Sequence, residues 1–166
     1  FAGYSRIPAS ITVLLCVSAA LANGWRFLRW GFQYCWGIPL LWSLHLAYAF
    51  IPLGLLALAL YAAGYLATAS AALHCFTAGA VGGMILAMIS RVTLGHTGRP
   101  LQPPVLIVPA YVFILTGAAV RVVIPAGWPE YAYWGIGVSG VLWVLAYGVF
   151  CICYGPMLLT TRADGR

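Results

Sequence analysis

The fold class is decided by residues 38–63, which read IPLLWSLHLAYAFIPLGLLALALYAA. This stretch has no Asp, Glu, Lys or Arg, and it exceeds the roughly 20 apolar residues that a helix needs to cross a bilayer. Four further stretches are predominantly apolar and are also predicted to span: Ile7–Asn23, Ser70–Ser90, Pro104–Ile124 and Trp134–Leu158. Lipid offers no hydrogen-bond partner to a bare backbone, and the alternation typical of barrel strands is absent. We therefore predict an all-α fold, a polytopic transmembrane helix bundle of about five spans.

The composition excludes a water-soluble protein. Of the 166 residues, 64% are hydrophobic and only 6% are charged, whereas a soluble domain has about 25% charged residues. The net charge of +6 comes from eight arginines against Glu130 and Asp164. We attribute this charge to membrane topology rather than to nucleic-acid binding. Residues 1–166 are thus expected to form one bundle whose surroundings are membrane lipid.

The arginines predict the orientation of the bundle. With five spans, one end carries Arg26, Arg29, Arg91, Arg99, Arg162 and Arg166, and the other carries Arg6 and Arg121. Cytoplasmic loops are enriched in arginine and lysine. The first end is therefore predicted to be cytoplasmic, together with the C-terminus. Because the chain begins with Phe1 and lacks the charged start of a signal peptide, we expect it to be the C-terminal part of a longer protein.

The spans offer imidazoles but no carboxylates. No Asp or Glu lies within them, so carboxylate proton relays and carboxylate acid–base hydrolysis find no support. The five cysteines are interpreted as small apolar side chains of the bundle. The three histidines are the better candidates, because an ionisable group within a membrane span is by default a functional candidate.

His45 lies in the second span. Helical spacing places Trp42, Tyr48, Ala49 and Pro52 on or near its face. Pro52 has no backbone N–H, so one carbonyl of the helix is left without its usual partner. These residues suit a pocket in the bundle core. A metal ligand and a histidine that is hydrogen-bonded to a neighbouring helix are both consistent with this pattern.

His74 lies one turn inside the third span. Ala78 and Gly82 follow at helical spacing, which predicts a flat face against which a planar macrocycle could lie. Gly79 and Gly83 form a GxxxG motif on another side of the helix, a pattern typical of close helix packing. His74 is therefore a candidate cofactor ligand, with a polar link between helices as the alternative.

The joint Arg91-Val-Thr-Leu-Gly-His-Thr-Gly-Arg-Pro100 concentrates polar residues between two apolar segments. Arg91 and Arg99 flank His96, and arginine forks match carboxylates and phosphates. Gly95 and Gly98 permit unusual backbone angles, so loop N–H groups could also converge on an anion. Haem propionates, lipid headgroups and plain anchoring in the membrane all fit this pattern.

The histidines differ in depth. From a rise of about 1.5 Å per residue, His45 and His74 are predicted to differ in height by roughly 10–15 Å. One iron cannot easily take both as axial ligands. Two separate metal positions, with His45, His74 and His96 as candidate ligands, are more natural than one bis-histidine haem.

Several of these segments also carry a resemblance. They are Arg29–Trp30, Leu41–Leu55, Ser70–His74, Gly79–Met84, Arg91–Pro100 and Tyr154–Pro156. Together they closely resemble the NnrS family across essentially the whole chain, and Arg91–Pro100 is the most specific of them. The resemblance implies a multi-pass protein of the bacterial inner membrane that contains haem and copper and acts in the response to nitric oxide. It also implies about 12 spans in the complete protein, so that an N-terminal half with further histidines would precede this chain.

The function expected from the resemblance is relief of nitric oxide stress, by binding nitric oxide or by turning it over slowly. Neutral imidazole suits both haem iron and copper. The sequence does not decide whether the protein is an enzyme. Two alternatives stay open, a membrane electron-transfer subunit whose histidines hold haem and a cofactor-free transporter half-bundle in which His and Arg line an anion path.

Overall fold

The computed structural model describes residues 7–163 and 165. Over these residues it is all-helical and contains no strand. Five helices are long and apolar enough to cross a membrane, which confirms the predicted fold class. Arg6 and Arg166, which the topology prediction used, lie outside the described residues.

Each predicted span corresponds to one helix. The five are α1 (Ala9–Arg29), α2 (Pro39–Ala62), α3 (Ser70–His96), α4 (Val108–Gly127) and α5 (Ala132–Leu158). Short 3-10 turns precede or follow them at Phe32–Tyr34, Val105–Ile107 and Pro129–Tyr131. Within α3, the segment Cys75–Val81 is a π-helix.

Two helices run further than the hydropathy pattern predicted. The predicted first span ends at Asn23, but α1 continues to Arg29. The predicted third span ends at Ser90, but α3 continues to His96. Hydropathy detects where apolar side chains stop, whereas backbone hydrogen bonding carries the helix on into the headgroup layer. As a result Arg91 and His96 lie on helical backbone rather than in a loop.

The core lies between α3, α4 and α5. Leu86, Tyr111, Ile114 and Tyr154 are almost completely buried there in one apolar cluster. In α1, by contrast, only Cys16 and Ala20 are buried. The helix packs mainly on α2 and leaves most of its surface to lipid.

Glycines set the close approach between α2 and α3. A Cβ on Gly79 would overlap the ring of Phe50, and one on Gly83 would lie 2.8 Å from the Cβ of Ala47. Both partners belong to α2. The prediction that the GxxxG motif mediates close helix packing is confirmed.

The π-helix changes the face predicted for His74. Regular spacing placed Gly82 beside His74, but the wider turns between the two residues rotate Gly82 away. Gly82 is buried, and a Cβ there would lie 3.1 Å from the ring of Trp143 in α5. The predicted flat stripe therefore reaches Ala78 at most, and the part of the prediction that includes Gly82 is wrong.

Candidate functional site: three histidines and the arginine-rich end

His74 has one ring nitrogen engaged and the other available. Its Nδ1 lies 2.7 Å from the carbonyl oxygen of Ser70 and 3.2 Å from the Ser70 hydroxyl. A carbonyl can only accept, so Nδ1 carries the hydrogen and Nε2 of the neutral ring keeps its lone pair. Metal-binding histidines are commonly oriented by such a bond from the second nitrogen to a carbonyl. The side chain is half-buried, so a ligand can approach Nε2 from the side of the bundle.

The π-helix begins at the residue that follows His74. It covers Cys75–Val81, after which the regular helix resumes at Gly82. Such wide turns are rare and occur frequently at functional sites. Sequence periodicity could not have identified this one, because the segment reads as a continuous apolar helix. The position of the π-helix supports His74 as a site residue.

His45 is enclosed by aromatic rings. The ring of Phe27 lies 4.3 Å from it, Phe32 stacks on it at 4.8 Å with an interplanar angle of 23°, and Trp30 meets it edge-on at 6.0 Å. The side chain is only 5% exposed. Its Nε2 is buried and has no hydrogen-bond partner. An unpaired buried nitrogen is costly, and here three aromatic rings surround the imidazole that carries it.

The surroundings of His45 differ from those predicted. Tyr48 is nearby, since its ring lies 4.6 Å from that of Trp30 in a tilted contact and its hydroxyl donates a hydrogen bond of 2.7 Å to Asn23 Oδ1. Trp42 instead points to the other side of α2, where it meets Tyr111 edge-on at 6.1 Å. The enclosing rings come from the end of α1 and the turn after it. Contacts of this kind depend on how two helices are rotated, which a single helix's periodicity does not specify.

His45 and His74 lie near opposite ends of the bundle. His45 is close to the start of α2, and His74 is close to the start of the antiparallel α3. From the helical rise, their separation along the bundle is about 20 Å. The helix lengths therefore agree with two separate positions rather than one shared iron.

Gly98 ends α3 in a glycine-based C-cap. Its φ is 69°, and the N–H of Arg99 donates to the carbonyl of Leu94 while the N–H of Gly98 donates to that of Gly95. This is the Schellman motif. The N–H of Thr97 also donates within the helix, to Thr93. The expectation that these loop N–H groups converge on an anion is therefore wrong, because all three already bind helix carbonyls.

The two arginines of the joint have different surroundings. Arg99 donates to the carbonyl of Thr97 at 3.4 Å and to the hydroxyl of Thr160 at 3.3 Å. The N–H of Ala163 donates to the same Thr97 carbonyl at 3.0 Å. Arg99 thus connects the joint after α3 to the segment after α5. It is a structural contact between two chain segments.

Arg91 and His96 instead line a cavity of about 370 Å³ at the arginine-rich end. The lining is completed by Val92, Gly95, Leu101 and Arg162. The sequence pattern was used to assign Arg162 to one end of the bundle, but it did not predict that this residue lies beside Arg91 and His96. The available signal was its position directly after the last span, on the same side as Arg91.

A buried polar cluster was also missed. The hydroxyls of Tyr111 and Tyr154 face each other and Ser90, yet neither reaches hydrogen-bonding geometry with a protein partner. Both tyrosines are fully buried, and the Ser90 hydroxyl donates to the carbonyl of Leu86. Three hydroxyls from α3, α4 and α5 therefore share one apolar interior. Their residue types gave no signal, since each is common in a membrane helix.

The donors for a multi-ligand metal site are scattered. Across the described residues, no three of His, Cys, Asp and Glu come close enough to hold one ion. The five cysteines are free thiols, and Cys151 and Cys153 differ in exposure as their spacing predicts. The cation-binding chemistry available is thus that of single imidazoles.

The comparisons with known proteins give one match. The model of the family described as NnrS protein matches residues 2–162 of the chain. No curated protein and no solved structure matches it.

Proposed function

The chain belongs to the NnrS family of the nitric oxide response, and from that premise we propose that it binds haem through His74 and takes up nitric oxide at the haem iron. The chain is a multi-pass membrane protein by its five spanning helices. The expected outcome is relief of nitrosative stress, either by sequestering nitric oxide or by converting it slowly.

The observation that carries the proposal is the Nε2 lone pair of His74. The Nδ1–H bond to Ser70 fixes the tautomer and the ring orientation, as expected for a metal ligand. The half-buried ring lies on a membrane helix next to the small residues Ala71 and Ala78. These features fit an axial imidazole and an apolar macrocycle.

A haem, when bound, would supply an iron that takes up a diatomic molecule. The residues of the chain would supply the remainder of the site. His74 would hold the iron, the Ser70 carbonyl orients the imidazole by accepting from Nδ1, and the apolar helix surface would exclude water. Coordination of nitric oxide to an iron transfers no proton, so this step needs no acidic side chain.

The residues fit copper less well. His45 has a buried Nε2 surrounded by Phe27, Trp30 and Phe32, and among the described residues it belongs to no group of three His, Cys, Asp or Glu donors. Copper favours several nitrogen or sulfur ligands. A copper site that includes His45 would therefore need the rings to move and donors from outside the described residues.

We further infer a bacterial inner membrane location, with the arginine-rich end in the cytoplasm. The described arginines support this orientation, because Arg26, Arg29, Arg91, Arg99 and Arg162 lie at one end of the bundle while Arg121 lies near the other. A preceding half of the protein is proposed to cover the lipid-facing side of His74.

The test is a haem assay on the full-length protein purified from haem-replete cells. We expect a haem spectrum in the wild type, loss of most of the haem in His74→Ala, and near-normal content in His96→Ala. His96 is the matched control because it lies at the far end of the same helix. Helical content and monodispersity of each variant separate loss of ligand from loss of fold.

Nitric oxide is then added to the reduced protein. A nitrosyl spectrum is expected if the iron binds nitric oxide, six-coordinate if His74 stays bound and five-coordinate if it is released. A six-coordinate, low-spin haem that ignores nitric oxide would favour an electron-transfer subunit instead. A colourless protein, or full haem content in His74→Ala, would contradict the proposal, and colourless protein would favour the cofactor-free transporter.

A further inference from the structure

A cavity opens beside His74, at the end of the bundle opposite to the arginine-rich end. Its walls come from the start of α3 with the chain before it and from the last turns of α4. They include Thr68, Ser70, Ala71, Arg121, Val122 and Pro125. Ser70 and Ala71 precede His74 by four and three residues, so the three side chains share one face of α3. The imidazole therefore lies one helical turn deeper than the cavity, on the side of α3 that faces α4.

Arg121 supplies the charge of this cavity. It is the only charged side chain among the described residues of the lining, and it is half-buried in α4. Among the described residues it has no hydrogen bond, ion pair or ring contact, and the acidic Glu130 is exposed. A charged side chain within a membrane span is costly unless it has a partner. The cavity therefore has an unpaired cation next to the face that carries His74.

Thr68 adds a hydrogen-bond donor to the same cavity. Its Oγ1 accepts from the Ser70 N–H at 3.3 Å, and a hydroxyl that accepts one bond still has its hydrogen to donate. A guanidinium fork and a hydroxyl together match a carboxylate, which accepts at both oxygens. The cavity volume of about 180 Å³ lies below the range of about 300–1,000 Å³ for whole small-molecule sites. It therefore suits one arm of a larger ligand.

We propose that Arg121 binds a carboxylate of the haem that His74 holds, with the Thr68 hydroxyl as a second donor. The inference rests on the haem proposal and adds the residues that orient the macrocycle. His74 lies four residues after the start of α3, and Arg121 lies six residues before the end of α4. Both helix ends border the same cavity, so the two side chains lie roughly 6 Å and 9 Å from the same end of the bundle. Carboxylates that extend from an iron at His74 towards the membrane surface would reach Arg121.

The arginines of the other end are too distant for this role. Arg91 lies 17 residues after His74, which corresponds to about 25 Å along the helix. Arg99 is more distant still and already donates to Thr97 and Thr160. Haem carboxylates fit the sequence pattern of that joint, but the fold places Arg121 nearer to His74.

The experiment compares protohaem with its dimethyl ester, in which both carboxylates are blocked. Full-length apo-protein from haem-deficient cells is titrated with each probe, and the Soret absorbance gives the dissociation constant. The variant is Arg121→Gln. Arg26→Gln is the matched control, because it removes the same charge at the other end of the bundle, where Arg26 lies over the Trp30 ring at 5.4 Å.

We expect the wild type to bind protohaem at least about tenfold more tightly than the ester, because a charge-assisted hydrogen bond contributes roughly that factor. Arg121→Gln should bind both probes about as weakly as the wild type binds the ester. The Arg26→Gln control should keep the wild-type preference. At saturating protohaem, the absorption spectrum of Arg121→Gln should equal that of the wild type, since the ligand of the iron is unchanged.

A preference for protohaem that persists in Arg121→Gln would overturn the proposal. Equal binding of the two probes by the wild type would do the same. Arg121 would then be a membrane anchor whose guanidinium extends to the lipid headgroups.

The same titrations on His74→Ala test the proposed iron ligand separately. Unchanged binding in His74→Ala, with the preference lost in Arg121→Gln, would remove His74 as the ligand and retain Arg121 as the carboxylate partner. Weak binding in His74→Ala, with the preference intact in Arg121→Gln, would do the reverse. A wild type that binds neither probe would overturn both proposals.

Helical content and elution volume identify any variant that fails to fold. If Arg121→Gln fails, Arg121→Lys replaces it, and because lysine keeps the charge but lacks the fork, this variant is expected to bind protohaem at intermediate strength. The comparison of the two probes in the wild type needs no variant and tests the carboxylate contact in either case.

Discussion

His74 and His45 show two ways in which a membrane helix can carry an imidazole. The Nδ1 of His74 is held by its own helix, and its Nε2 lies on a half-buried ring that can be approached from outside. His45 has the opposite arrangement, with Nε2 buried behind Phe27, Trp30 and Phe32 and without a partner. A histidine is marked as a metal ligand when a hydrogen bond from one ring nitrogen orients the imidazole and the other nitrogen is accessible. Burial of the side chain alone does not mark it.

The contact that joins the helices of these two histidines gives the largest expected effect on stability. Gly79→Ala forces a methyl group into the ring of Phe50 and should lower the free energy of unfolding by about 2–3 kcal/mol. Unfolding in a graded detergent titration measures it. Gly137→Ala is the control, because nothing lies within 4 Å of a Cβ there. Equal effects in both variants would mean that α2 and α3 do not approach as closely as Gly79 requires.

Replacing His45 tests the meaning of its unpaired nitrogen. His45→Leu removes a buried polar atom without a partner and should raise the free energy of unfolding by about 1 kcal/mol. The same titration measures this gain. A decrease of similar size in the free energy of unfolding would indicate that Nε2 has a bonding partner in the native membrane protein. His45 would then resemble His74 as a candidate ligand.

The hydrogen bond between helices beside His45 should contribute a similar amount, with the opposite sign on removal. Tyr48→Phe removes the 2.7 Å bond to Asn23 and should cost about 1 kcal/mol, since it leaves a half-buried acceptor unpaired. Tyr133→Phe, at a residue that is 82% exposed, should change the free energy of unfolding by less than about 0.5 kcal/mol. Indistinguishable values for the two variants would count against a bond between α1 and α2 at this point.

The smallest effect is expected at the hydroxyl beside His74. Ser70→Ala removes the 3.2 Å contact but keeps the backbone carbonyl that accepts from Nδ1 at 2.7 Å. Haem content should therefore change by less than about twofold, well below the factor of 10–100 typical when an orienting partner is lost. A loss near that larger range would show that the hydroxyl, not the carbonyl, orients the ring.

The sequence predicted what depends on one helix at a time. Hydropathy located all five spans, the GxxxG motif predicted close packing of the third span on another helix, and arginine placement grouped Arg91 with Arg162 at one end. The family resemblance is confirmed over residues 2–162. These features follow from transfer free energy and residue size, which act locally.

Features that depend on helix rotation and register could not be predicted in this way. The π-helix after His74 rotates Gly82 onto Trp143, although the sequence spacing placed Gly82 beside His74. The rings around His45 come from the end of α1 and the turn after it, and Trp42 points away from them. Gly98 was interpreted as part of an anion cradle, but its positive φ serves the end of α3.

The contacts of Thr97 and Arg99 with the segment after α5 have a consequence for biosynthesis. Membrane helices enter the bilayer in chain order, yet Thr97 receives a bond from Ala163 and Arg99 donates to Thr160. These contacts cannot form until α5 has crossed the membrane and residues 160–163 have been synthesised. The opening beside Arg91 is therefore completed only after α5 is in place, although α3 is inserted two spans earlier.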